Sequence, residues 1–182
     1  MTKVLIAVTN IGRMGDTNEP TGFQLSEVTH PLKELEDAGF TVDFVSPQGG
    51  LAPITVDEGV DPLNDEFLDD PARMKQVAET LAPDDVHVHD YDAIFFAGGH
   101  GAMWDFPESD ELARIAASIY ERGGVVGAVC HGPAGLLPVR LSDGTPLVQG
   151  KRVSAFTNAE EQAVGKTDIV PFLLADALER CG

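Results

Sequence analysis

Apolar residues fall along this chain in two patterns, short unbroken runs and longer stretches where they recur every three or four positions. Residues 3–8 (KVLIAV), 93–97 (AIFFA) and 125–129 (VVGAV) are runs without alternation, as expected for strands covered on both faces of a parallel sheet. Residues 41–46 (TVDFVS) predict a second strand, closed by Pro47 and Gly49-Gly50. Between these runs, Phe23, Leu25, Val28, Leu32 and Leu35 predict a helix over 22–38, stopped by Gly39 and kinked or divided by Pro31. Further helices are predicted near 71–81, over 108–122 and over 170–180, the last with Pro171 in its first turn. Residues 51–70 are rich in Asp, Pro and Gly and read as a long surface excursion, while 153–156 read as a further strand. The alternation of strands and helices predicts an α/β fold, a three-layer sandwich around a mainly parallel sheet. No repeat or linker divides residues 1–182, which read as one domain.

Composition narrows the partners. The chain has 182 residues, 43% hydrophobic, with 12 Lys and Arg against 30 Asp and Glu, a formal net charge of -18. Such a field repels phosphate backbones and anionic lipid, so neither nucleic acid nor a membrane surface is an expected partner. No apolar run approaches the ~18 residues of a spanning helix, and the first residues do not read as a signal peptide, so the expected location is cytoplasmic. Two cysteines, Cys130 and Cys181, make no disulfide framework.

Ligands in parallel α/β sheets bind beyond the carboxyl ends of the strands. Three loops lie there: Asn10 onward, Gly98-Gly99-His100-Gly101, and Cys130-His131. A side chain at a sharp strand-to-helix turn projects out of the sheet, the logic of a nucleophile elbow, here with cysteine. A helix N-terminus and an adjacent imidazole would both favour the thiolate, whereas a plain buried cysteine is the bland reading. The glycines at 98–101 would let backbone N–H groups approach a substrate oxygen, joined by the amide that follows the cysteine.

Two phosphate-binding readings fail. Trp104 stands where a dinucleotide fingerprint needs its third glycine, and Glu160 stands where a P-loop ending in Gly165-Lys166-Thr167 needs its first. His87 and His89 would share a strand face, but without a spaced third ligand they read as solvated, and no metal or cofactor is expected.

Four segments in order, residues 21–31 (TGFQLSEVTHP), 96–107 (FAGGHGAMWDFP), 128–133 (AVCHGP) and 156–161 (FTNAEE), resemble the DJ-1/PfpI superfamily, whose fold is glutamine amidotransferase-like and flavodoxin-like. The resemblance is strongest to its Hsp31-like branch of glutathione-independent glyoxalases and chaperones. It implies Cys130 as nucleophile, His131 as its partner, Glu161 as the acid orienting that histidine, and Glu27 as a carboxyl group facing the sulfur. It also implies Gly98, Gly99 and His100 as substrate or oxyanion-binding positions.

Glu27 has independent support from its place amid Leu25 and Val28, where desolvation would raise its pKa. Glu160 and Glu161 could both be exposed loop residues, so the choice of Glu161 rests on the resemblance. The implied activity converts methylglyoxal or a related 2-oxoaldehyde to a 2-hydroxy acid without glutathione. Alternatives are a stress holdase acting on unfolded client proteins, or a deglycase or amidase-type hydrolase. The resemblance further implies a homodimer, and family members continue past the helix ending at Arg180 into final strands that this sequence does not contain.

Overall fold

The computed structural model describes residues 2–182. Its centre is a four-stranded parallel sheet built from β1 (Lys3–Ala7), β3 (Thr41–Val45), β5 (Ala93–Phe96) and β6 (Val125–Ala128), in the order β3-β1-β5-β6. Register is continuous across it, with Val4 beside both Val42 and Ala93, and Ala93 beside Val125. The expected α/β sandwich with a mainly parallel sheet is therefore the observed fold. Counted as central strands in chain order, the arrangement is 2-1-3-4, the flavodoxin-like order, with its switch point between β1 and β5.

β1 explains why its residues form an unbroken apolar run. Val4, Ile6 and Val8 enter one core, with Val28 and Leu32 from α1 (Ser26–Asp37) and Phe67 from α2 (Pro62–Asp69). Leu5 and Ala7 enter the other, with Leu112, Ile115 and Ile119 from α5 (Asp110–Glu121) and Leu174 from α7 (Leu174–Arg180). Alternating side chains thus meet an apolar layer on each face, and from Val4 to Val8 no position is free to be polar.

Several expectations are corrected. The first helix begins at Ser26, because Phe23–Gln24 form a short strand, β2, parallel to β4 (Ile54–Thr55). Pro31 does not divide it; α1 runs unbroken across the hydrogen bond that proline withholds. The excursion at 51–70 contains β4 and α2, whose start is set by the Asp61 carboxylate accepting from the N–H groups of Leu63 and Asn64, with Pro62 in the first turn. α3 (Pro71–Ala78) follows directly, capped by Asp70. Residues 153–156 make no strand, and the final helix starts at Leu174, leaving Pro171 before it. His87 and His89 lie at a short 3-10 turn, not a strand, and both are exposed. Among the described residues, no helix is long and apolar enough to cross a membrane.

The loop after β1 is tied down by α4 (Ala102–Asp105), one turn that follows β5. Buried Asp105 accepts from Thr9 Oγ1 at 2.9 Å and from the Asn10 N–H at 2.8 Å, while burial pushes its carboxyl up to about 6. A folded-state pKa above the unfolded value means that the folded chain binds the extra proton. Its contribution to stability is therefore full below about pH 4 and lost as pH rises through about 6. Asp105→Asn is expected to flatten this part of the pH dependence. Urea unfolding of both proteins between pH 4 and 7 checks it, and parallel slopes would contradict the assignment.

Candidate active site

Cys130 stands just beyond the end of β6, with Val129 between, and has φ 56°, the one non-glycine positive φ among the described residues. The left-handed turn strains a residue with a Cβ and lifts the side chain off the sheet, as a nucleophile elbow requires. The segment beyond it, Gly132–Leu136, is a 3-10 turn instead of the expected α-helix, so aligned helix dipoles give the sulfur little support. Backbone N–H groups of Gly99 and His131 nevertheless point at Sγ.

Two elements bring carboxylates to this point. Glu27, in the first turn of α1, directs its carboxyl at Cys130 and Gly98. Its Oε2 is buried without a hydrogen-bond partner among the described residues. A Cβ built on Gly98 would stand 2.3 Å from that oxygen and 2.7 Å from the Cys130 Cβ, so only glycine lets the two groups meet. Gly99, at φ 93°, turns the chain so that its own N–H faces the sulfur.

Glu161 comes from α6 (Asn158–Ala163), and the helix start settles which glutamate enters the site. Thr157 and Glu160 form a reciprocal capping box, which holds Glu160 at the exposed helix end. The next residue, Glu161, points inward and is 2% exposed. It accepts from His131 Nε2 at 2.8 Å through Oε2 and from His100 Nε2 at 2.9 Å through Oε1.

With its Nε2 proton on Glu161, His131 turns Nδ1 to the Cys130 sulfur at 3.4 Å. The ring is fully buried, with Phe156 stacked at 4.3 Å and His100 at 4.1 Å between centroids. The sequence assigned Phe156 no role; its signal was its place immediately before the helix-capping threonine. His100 Nε2 is taken by Glu161, and the Gly99 backbone N–H is the donor of this loop that faces the sulfur.

Burial sets the protonation of the site. It pulls His131 down to about 4 against the opposing pull of Glu161, leaving a neutral ring at pH 7. The Cys130 thiol is pushed up to about 12, first by burial and then by the Glu27 charge facing it. Burial likewise raises Glu27. Cys130 and Glu27 therefore form a coupled pair that retains a proton, not the free thiolate that the sequence suggested. His100, His131 and Glu161 also bring possible metal-ligand atoms within 4.8 Å of one another. Both imidazole N–H protons would have to leave before that set could hold a cation.

The fold and the site together define a class, a parallel α/β sheet carrying a cysteine at a strand-end elbow beside a hydrogen-bonded, buried His and Glu pair. The chain belongs to the DJ-1/PfpI family, whose model matches residues 19–170. It is 35% identical to the glutathione-independent glyoxalase HSP31 of Saccharomyces cerevisiae, covering 92% of this chain and 74% of that protein. The solved structure of the Rapid Encystment Protein 24 kDa of Francisella tularensis superposes with a TM-score of 0.94 at 42% identity, over all of this chain and 82% of that one. Glyoxalase III of Candida albicans superposes with a TM-score of 0.87 at 29% identity, covering all of this chain and 80% of that one.

Proposed function

We propose that this protein is a glutathione-independent glyoxalase, converting methylglyoxal or a similar 2-oxoaldehyde and water to a 2-hydroxy acid. The observation that carries the reading is the setting of Cys130: an elbow sulfur with Glu27 on one side, His131 Nδ1 at 3.4 Å on another, and two backbone N–H groups aimed at it. Likeness to proteins named as glyoxalases supports it.

In this mechanism Sγ adds to the aldehyde carbon C1 while its proton passes to His131 Nδ1. The oxyanion is held by the N–H groups of Gly99 and His131, then takes the proton back to give a neutral hemithioacetal. Glu27, ionised and desolvated, is more basic than an ordinary carboxylate. It removes the C1 proton to give an enediolate and delivers it to C2, while the hydroxyl proton passes from the C1 oxygen to the C2 oxygen, so that C2 becomes the carbinol and C1 a thioester. Neutral His131, backed by Glu161, then deprotonates the water that releases the acid and restores the thiol. Glutathione has no step here, because Cys130 supplies the sulfur.

A cytoplasmic location, a homodimer and capture of unfolded client proteins accompany this reading in the resembled branch and are proposals of the same standing. The test is direct: purified protein with methylglyoxal and no thiol additive is expected to form lactate in equal amount to the aldehyde consumed. Aldehyde loss without lactate would overturn the proposal.

A further inference from the structure

We propose that His100 is a positioning residue that acts through Glu161 to fix the tautomer and orientation of His131. The inference rests on the proposed glyoxalase reading for its kinetic consequences, but its structural part stands apart from it.

Glu161 is buried, and each of its two oxygens is taken by a different imidazole. Were His100 to lose its N–H, Oε1 would become an uncompensated buried acceptor and the carboxylate would be free to turn about its own axis. Oε2 would then no longer be held in line with His131 Nε2. That bond decides which nitrogen of His131 carries the proton, and therefore whether Nδ1 offers a lone pair to Cys130. The His100 ring also packs against His131 at 4.1 Å between centroids and meets Phe156 edge-on at 6.0 Å, so it restrains the tilt of the His131 ring as well as its proton. Finally, His100 directly follows Gly99, whose N–H faces the sulfur. One side chain therefore joins the loop after β5, the base beside the nucleophile, and α6.

Three variants separate this role from substrate binding and from packing. Gln at 100 reaches Glu161 with an N–H donor, Asn is too short to reach, and Leu has bulk without a donor. His100→Leu and His100→Asn are expected to lower kcat for methylglyoxal by about 10- to 100-fold with KM within about twofold, and His100→Gln to stay within about threefold of the parent. A second readout needs no activity. In nitrogen-15 imidazole spectra of the resting protein, the His131 Nε2 proton signal is expected to persist in the parent and the Gln variant and to broaden or change tautomer in the other two.

An unchanged His131 spectrum in both the Leu and Asn variants would overturn the proposal, as would a loss confined to KM or a Gln variant as impaired as the Leu variant. Should His100→Leu fail to fold, the Asn and Gln pair carries the comparison. If the parent forms no lactate, the glyoxalase reading fails while the spectra still decide the positioning role.

Discussion

Cys130→Ala is expected to reduce lactate formation from methylglyoxal by at least about 10³-fold, while the protein remains folded. The reason is specific to the proposed chemistry. The Gly99 and His131 N–H groups, Glu27 and His131 all survive the substitution, yet without sulfur there is no hemithioacetal and hence no adduct for them to act on. Ser at 130 is expected to fare little better. An alcohol is far less acidic than a thiol, a weaker nucleophile toward the aldehyde and a poorer leaving group when the acid is released. Turnover is measured in a Cys181→Ser background so that Cys130 is the one thiol in the chain. Parent-like activity in the Ala variant would place the reaction elsewhere.

Glu27→Gln is the second large effect, an expected loss of about 10²- to 10⁴-fold in kcat, the range for removal of a positioned acid-base group. Its sign in pH follows from the burial of the carboxyl. Because Glu27 is raised above the usual carboxylate value and must be ionised to take the C1 proton, kcat/KM of the parent is expected to fall with acid through that raised value. In the Gln variant the residual activity should instead fall near pH 4, where His131 gains its proton. A separate consequence concerns the thiol. The Glu27 charge helps to hold Cys130 protonated, so its removal should lower the thiol pKa and speed alkylation by iodoacetamide at neutral pH. Slower alkylation in the variant would show that the carboxylate does not oppose the thiolate.

Much of this was legible in the sequence, for physical reasons that differ by element. The runs at 4–8 and 93–97 were readable because central strands covered on both faces leave little room for polar residues; the run at 125–129 is as apolar, although β6 is the edge of the sheet and Val125 is 65% exposed. Cys130 was readable because a cysteine directly after such a strand, before His-Gly-Pro, stands where a sharp turn lifts a side chain off the sheet end. The strand expected at 153–156 does not form because apolar character alone cannot supply a ladder partner. That segment instead carries Phe156 to the His131 ring and donates the Phe156 N–H to the Cys130 carbonyl. The helix α2 was hidden in an acidic stretch, although Asp61-Pro62 is a helix-start signature. Thr157-x-x-Glu160 is a capping box in plain view, which assigns Glu160 to the helix end and frees Glu161 for the site. The bond between His100 and Glu161 spans 61 positions and left no local pattern to read.

The left-handed backbone at Cys130 sets thermal persistence against chemistry at one position. Glycine there would relieve conformational strain of order 1 kcal/mol. It would also delete the sulfur. A chain optimised for heat tolerance alone would thus surrender its reactive atom early, and mutational screens scored by solubility or melting would count the loss as an improvement. Only a screen that demands product keeps this residue in place.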